Sequence, residues 1–518
     1  MKKLRELLKR DRDIFVSAAL SCFFCYFYLW VNGHGGPDAV SEGVRYYHNA
    51  GWATATARWM IRYIDTLFGK NVIIPFIVVI LYCAMIAVSC CMLVRLFDIK
   101  SKLFRVLLSA ALVSFPVVTD QFAYLYMALS YSLSFLLVVL GCMLVRKKKP
   151  LALAGSVFCF LLMLGSYQAY IAAIAALGLL LFFKDVCGEE KLRSAWLHLG
   201  LTVGSAFAAA LVNFPVSSWM ANHYGTGFSE RVSDFSLSVI LENLDFSLPW
   251  SYIWFFTPFD TDVLSRGRLY LVIFLLLGIA VLGVLVKLCR EKKWLRAVLA
   301  LVSILLLPLA MNACEILFPA NGLFDIMRYH YVLLFVLLFS LLPQEGAKDG
   351  SGVYAKLANY LMRGAAGLVT AVLIATWTIS ANATFMLNGV IYDYTCRQAT
   401  MMLEQVYTLD GYEHHATPIV LGGPIEFTDL EGIYSQLFRY GRIGGGPVFW
   451  NNAYGMTTGR YYFFREYMGL EPLWIEVSEY EAVVNSEAFA AMPVWPAKGS
   501  VAMINGYAVI KNTDDPPR

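Results

Sequence analysis

The sequence predicts a polytopic α-helical membrane protein of about 11 transmembrane helices with a small C-terminal α/β domain. Three observations predict it. Hydrophobic residues make up 59% of the 518 and charged residues only 15%, where soluble chains carry roughly 25% charged residues. Long uncharged runs recur along residues 1–392 without alternation of polar and apolar positions, which favours a helical bundle over a membrane barrel. Residues 393–518 then change character, with Gly-Gly-Pro, Gly-Gly-Gly-Pro and many charges, the mark of a separate domain.

A spanning helix needs about 20 mostly apolar residues. Uncharged runs occupy residues 14–31, 72–94, 121–145, 151–183, 195–216, 269–286, 297–314 and 364–392, with shorter ones at 106–119 and 329–343. The first follows the basic segment MKKLRELLKRDRD, and no A-x-A site follows Trp30, so it reads as an uncleaved helix with its basic end in the cytoplasm. The run 151–183 would make a helix of about 50 Å, too long for one crossing of a core about 30 Å thick. Gly165, Ser166, Tyr167 and Gln168 at its midpoint are the natural turn. With that break, the cytoplasmic loops hold 25 Lys and Arg residues and the outer loops 8. Without it, every loop after residue 183 changes sides and the positive-inside rule is violated.

Eleven crossings from a cytoplasmic N-terminus divide the chain into a transmembrane domain, 1–392, and an extracytoplasmic α/β domain, 393–518. Within the latter, Pro418–Gly422 reads as a buried strand, and Val501–Lys511 as a hairpin turning at Asn505-Gly506. Residues 229–247 place apolar positions at roughly helical spacing and suggest a helix lying in the interface.

A net charge of +4 gives no reason to expect nucleic acid as a partner. Of the 11 cysteines, Cys22, Cys25, Cys83, Cys90, Cys91, Cys142 and Cys159 lie inside spans and only Cys396 in the tail, so neither a disulfide framework nor a zinc pair is expected. His34, His48 and His330 lack metal-ligand spacing, and no metal or cofactor is expected. The absence of a Walker A, dinucleotide or nucleophile-elbow motif in a sensible setting argues against a nucleotide-driven pump and an α/β-hydrolase.

Polar chemistry gathers at the outer ends. The loop 32–71 carries Asp38 and Glu42, four apart, followed by Arg45, His48, Arg58, Trp59 and Arg62. Other outer ends supply Asp120, Tyr124 and Tyr131; Tyr167, Gln168 and Tyr170; and Asp325, Arg328 and His330. Ionisable groups at helix ends that face a bundle interior mark a substrate path. Taken singly, each has a plainer role: loop charges pair with one another, Asp120 caps the next helix, Arg328 snorkels to headgroups, the tyrosines form an interfacial belt, and Tyr167-Gln168 make a turn.

Gly36-Pro37-Asp38 with Glu42, soon after the first span, and Ala57-Arg58-Trp59 about twenty residues later, resemble elements of the bacterial membrane glucosyltransferases related to O-antigen serotype-converting enzymes. Phe115-Pro116, the segment GSYQAY at 165–170 and RYHY at 328–331 extend the likeness over most of residues 1–390. The family usually has Gly where this chain has Ala57. The resemblance implies a C-type glycosyltransferase of the bacterial cytoplasmic membrane. Such an enzyme takes a hexose, here glucose, from a polyprenyl-phosphate-linked donor among the membrane lipids. It adds that sugar, with inversion, to a cell-envelope glycan acceptor on the outer face. It also implies catalysis by an acid of the first outer loop, which maps to Asp38, with Glu42 as the alternative.

The chemistry is compatible. A carboxylate within about 3 Å takes the proton of an attacking hydroxyl, and guanidinium groups hold the charge of a departing lipid phosphate. Arg58 and Arg328 suit that phosphate, with Arg62 and Arg45 behind them. Trp59, Tyr124 and Tyr167 offer faces to sugar or lipid, and Asp120, Gln168 and His330 complete the expected substrate-binding set. A transporter or flippase of lipid-linked sugars, or a non-catalytic assembly subunit, is the alternative. A transporter would want polar groups in both halves of the bundle, and this sequence shows them mainly at the outer ends.

Overall fold

The computed structural model of the chain describes residues 9–33, 50–68, 73–229, 237–257, 266–318, 325–342, 353–441, 453 and 455–517. The expected acids Asp38 and Glu42, with His34, Arg45 and His48, lie outside the described residues.

Helix α1 (Arg12–Asn32) leads to two short helices, α2 (Ala50–Ala55) and α3 (Met60–Phe68), and then to α4 (Pro75–Leu96). Next come α5 (Lys102–Ser114) and α6 (Pro116–Phe122), one apolar stretch broken at Phe115-Pro116. A proline has no N–H to give and clashes with the turn before it, so a new helix starts there with Pro116 in its first turn. Helix α7 (Leu125–Val145) follows. Helices α8 (Pro150–Ser166) and α9 (Ile171–Cys187) are separated by Tyr167 and a 3-10 turn at Gln168–Tyr170, so the 33-residue run breaks where its length demands.

The bundle continues with α10 (Leu192–His223), α11 (Leu237–Glu242), α12 (Leu244–Phe256), α13 (Arg266–Arg290), α14 (Trp294–Met311) and α15 (Ala313–Leu317). Two 3-10 turns at Asp325–Met327 and Tyr329–Val332 then lead into α16 (Leu333–Leu341) and α17 (Val353–Val406). Among the described residues, nine helical stretches are long and apolar enough to cross a membrane, and Pro150–Ser166 and Tyr329–Leu341 are shorter apolar helices. The chain is therefore a polytopic helical membrane protein. Of the interfacial segment expected at 229–247, α11 and the start of α12 are helical, and 230–236 lie outside the described residues.

The 54 residues of α17 make a rod of about 81 Å at 1.5 Å per residue, against about 40–45 Å for a whole bilayer. One helix thus serves two cores. Trp377, Ala381 and Phe385 pack in the bundle, whereas Tyr392, Ala399, Met402, Leu403 and Val406 pack with the tail. It runs unbroken through residues 392 and 393, where composition changes. The tail holds β1 (Ile419–Leu421), β2 (Val501–Ile504) and β3 (Tyr507–Ile510) in the order β1-β3-β2, with β1 parallel and β2 antiparallel to β3. Asn505 and Gly506 turn the hairpin with φ of 51° and 84°, as a two-residue hairpin turn requires.

Charge knits one end of the bundle. Arg105 meets Asp11 at 3.1 Å and Asp13 at 2.8 Å, and Arg95 also reaches Asp11. Arg146 grips Asp185 with two bonds of 2.9 and 2.7 Å while His198 Nδ1 donates to the same carboxylate at 3.0 Å. These pairs join the helix ends that carry the basic loops. The polar side chains of interest lie at the other end.

Candidate functional site

Helix α2 ends in a turn held from outside. Ala57 has a φ of 59°, the left-handed conformation that favours glycine. Its N–H reaches Thr54 O at 3.0 Å, and Arg58 N–H reaches Ala53 O at 2.7 Å. Gln168 Nε2 donates to Thr56 O at 3.0 Å and to Ala57 O at 2.9 Å. The turn projects the Arg58 guanidinium over two rings, 5.0 Å from the centre of Trp52 and 4.9 Å from that of Tyr167. Tyr167 is braced in turn by edge-on contacts with Tyr131 at 4.7 Å and Tyr170 at 5.8 Å.

Arg58 is half-buried, and its Nε is shielded from solvent with no acceptor. Among the described residues neither a carboxylate nor any other hydrogen-bond acceptor engages this guanidinium. The neighbouring side chains serve the scaffold. Trp59 donates from its indole to Asn213 Oδ1 at 3.0 Å, and its ring lies so close to Gly165 that a Cβ there would come within 2.4 Å of it. Arg62 stacks on Tyr224 at 3.6 Å and bonds Thr54 Oγ1 at 3.3 Å.

A second wall comes from residues 325–332. Gln121 Nε2 donates to Ile326 O at 3.0 Å and to Tyr170 Oη at 3.2 Å, while its own Oε1 accepts from Tyr82. Tyr329 donates to Leu112 O at 2.9 Å, His330 Nε2 to Met311 O, and Tyr331 to Asn312 Oδ1 at 2.9 Å. This anchored segment presents Arg328, only 7% exposed, with Asp325 at 3.3 Å. Asp120 is half-buried on α6 beside Gln121, and Tyr124 occupies the position before α7, which starts without a side-chain cap.

Charge from both walls reaches α15. Cys314 lies within electrostatic reach of Arg58, and Glu315 within that of Arg328. One five-residue helix therefore links the two guanidinium groups. Glu315 is 3% exposed, and its Oε2 has no hydrogen-bond partner. Burial pushes its carboxyl up to about 7, against the pull of Arg328, because a buried carboxylate loses its hydration.

Arg58, Tyr124 and Tyr167 thus gather around Tyr131, and Arg328 faces Glu315. Trp59 Nε1, Gln168 Nε2 and His330 Nε2 are engaged by Asn213, the Thr56 and Ala57 carbonyls, and Met311, while His330 Nδ1 is buried without a hydrogen-bond partner. Sequence reasoning missed Glu315, Gln121, Asn213 and Asn312. The signal for Glu315 was its isolation, a single acid at the edge of the apolar run 297–314. Among the described residues no group of three His, Cys, Asp or Glu residues could hold a metal ion.

The family model for Glucosyl transferase GtrII matches residues 42–339, more than half of the chain. The chain belongs to this family. No curated protein and no solved structure matches it. GtrII membership makes it a glucosyltransferase, in the family of O-antigen serotype-converting enzymes. The GtrII match takes in Arg58, Gln121, Tyr167, Glu315 and Arg328. It begins at Glu42, so Asp38 precedes it and the tail 393–518 follows it.

Proposed function

We propose that the chain moves glucose from a polyprenyl-phosphate-linked donor to an envelope glycan of the O-antigen class on the outer face of the bacterial cytoplasmic membrane. In this reading the fold is C-type and crosses the membrane eleven times, with residues 393–518 outside. The carrying observation is Arg58, a half-buried guanidinium on an aromatic floor with no hydrogen-bond acceptor among the described residues. Such a cation is costly to bury without a counter-charge, and an anionic ligand relieves that cost. A lipid phosphate supplies the charge, and its sugar and prenyl chain meet the surrounding rings.

Asp38, with Glu42 as the alternative, accepts the proton of the acceptor hydroxyl as that oxygen attacks the anomeric carbon. The bond from that carbon to the phosphate oxygen breaks, the electron pair stays on that oxygen, and Arg58 and Arg328 hold the phosphate as charge develops there. Distribution of the basic loops supports the orientation, since the site lies at the bundle end away from them.

The test is full-length protein in lipid nanodiscs, given radiolabelled glucosyl polyprenyl phosphate and O-antigen lipopolysaccharide. Label should pass to the polysaccharide, and Arg58→Ala should cut the rate by about 100-fold, the scale of removing one charge-stabilising donor. Label transfer from UDP-glucose alone, with the lipid donor untouched, would refute the reading.

A further inference from the structure

Glu315 has no part in the reaction as set out above, yet its surroundings are unusual. It stands on α15, a helix too short to bring an anchoring face of its own, immediately beyond the membrane-spanning α14. Its side chain is 3% exposed, and Oε2 is buried without a hydrogen-bond partner. A carboxyl placed only to neutralise Arg328 would be expected to bond it directly. Instead Arg328 takes Asp325 at 3.3 Å, and Glu315 acts on the guanidinium from further off. The charged group that acts on Glu315 is Arg328, and Glu315 in turn acts on the neighbouring Cys314. The charges of the helices packed against α15, Asp245 on α12, Lys184 and Asp185 on α9 and Arg296 on α14, do not act on Glu315.

We propose that Glu315 is the acid that gives its proton to the departing lipid phosphate. This rests on the reading of the site as a lipid-phosphate-sugar transferase. The donor is a phosphodiester with one negative charge, and its cleavage leaves a monoester that would carry two. In the proposed step the acceptor oxygen bonds the anomeric carbon and its proton passes to the acid of the first outer loop. The bond from the anomeric carbon to the phosphate oxygen breaks, and the electron pair stays on that oxygen. Glu315 supplies the proton that leaves the phosphate a monoanion, and becomes a carboxylate itself. Arg328, no longer facing a dianion, stabilises the new carboxylate until a proton returns to it from the loop acid through solvent.

The environment suits an acid that must hold its proton until needed. Burial keeps the carboxyl protonated up to about pH 7, and a phosphate bound at Arg328 would raise that limit, because two anions cannot share one cation without cost. A neutral carboxyl donates to a phosphate oxygen, whereas an ionised one repels it.

The experiment measures transfer from glucosyl polyprenyl phosphate to O-antigen lipopolysaccharide by full-length protein in nanodiscs, across pH 5.5–9. The wild type should lose rate on the alkaline side, as Glu315 ionises. Glu315→Gln keeps shape and a hydrogen-bond donor but has no proton to give. It should lower kcat by about 100-fold, the scale of general acid catalysis, leave KM within a few-fold, and abolish the alkaline fall. Glu315→Asp, which keeps a titrating group, should recover part of the rate with the fall restored at a shifted pH. Glu315→Gln with wild-type kcat, or with the alkaline fall intact, overturns the proposal and leaves the transferase reading standing. A loss confined to KM overturns it too, since that assigns Glu315 to binding. A wild type that leaves the lipid donor unconsumed removes the transferase reading, and the acid role falls with it.

Discussion

Gln168 Nε2 donates to the Ala57 carbonyl at 2.9 Å, across 111 positions of sequence. The same nitrogen holds Thr56 O at 3.0 Å, so the turn that aims Arg58 is fixed from the α8–α9 break. Replacing Gln168 with Ala would leave two carbonyls without a donor, at a cost of about 1–3 kcal/mol. The expected outcome is a lower unfolding temperature in detergent and a transfer rate reduced through Arg58. Gln168→Glu should be worse, since a carboxylate would face those carbonyls. A Gln168→Ala protein with wild-type melting and rate would show that the turn holds itself.

Ala57 stands in the left-handed region with a φ of 59°. That conformation costs an L-residue about 1–2 kcal/mol relative to glycine, and glycine gives back roughly 0.5–1 kcal/mol through its freer unfolded chain. Ala57→Gly should therefore fold and transfer glucose at least as well as the parent. Ala57→Val brings a β-branched side chain into a conformation such residues rarely adopt, and its transfer activity should fall at least tenfold. Equal activity of the Gly and Val proteins would contradict the strain argument.

Gly165 gives Trp59 its place. A methyl group there would meet the indole at 2.4 to 2.8 Å, so Gly165→Ala must push the ring off its seat and away from Asn213. Trp59 is adjacent to Arg58, and the displacement should reach the guanidinium. The expected result is a shifted tryptophan emission, together with a loss of transfer comparable to that of Trp59→Ala. Wild-type emission and activity would mean that the helices separate to admit the methyl group.

Where apolar length alone decides a structure, the sequence is readable. The helix break at Gly165 to Gln168 follows from bilayer thickness, and the hairpin at Asn505-Gly506 from its turn residues. The course of α17 was hidden, because composition changes at residue 393 while the helical backbone continues. The site was legible as residue types and not as partnerships. Arg58 and Arg328 stand out as cations at helix ends, but the separation of 154 positions from Trp59 to Asn213, or of 205 from Gln121 to Ile326, leaves no periodic trace. Glu315 was overlooked since a single acid beside an apolar run looks like the start of a loop, and only packing shows that it is buried.

The acid of the first outer loop can be settled by comparing Asp38 and Glu42 directly. Both are carboxylates four residues apart, so helical spacing would set them on one face. The proposed reaction puts one of them within about 3 Å of the acceptor hydroxyl. Asp38→Asn removes the proton acceptor while keeping size and polarity. If Asp38 is the base, that variant should lose transfer by at least about 100-fold with donor binding retained, and Glu42→Gln should keep most of the rate. Native mass spectrometry with the lipid donor separates binding from chemistry. The reverse pattern, a dead Glu42→Gln beside an active Asp38→Asn, would move the base to Glu42, the residue at which the GtrII match begins. Two active variants would remove both acids from the reaction.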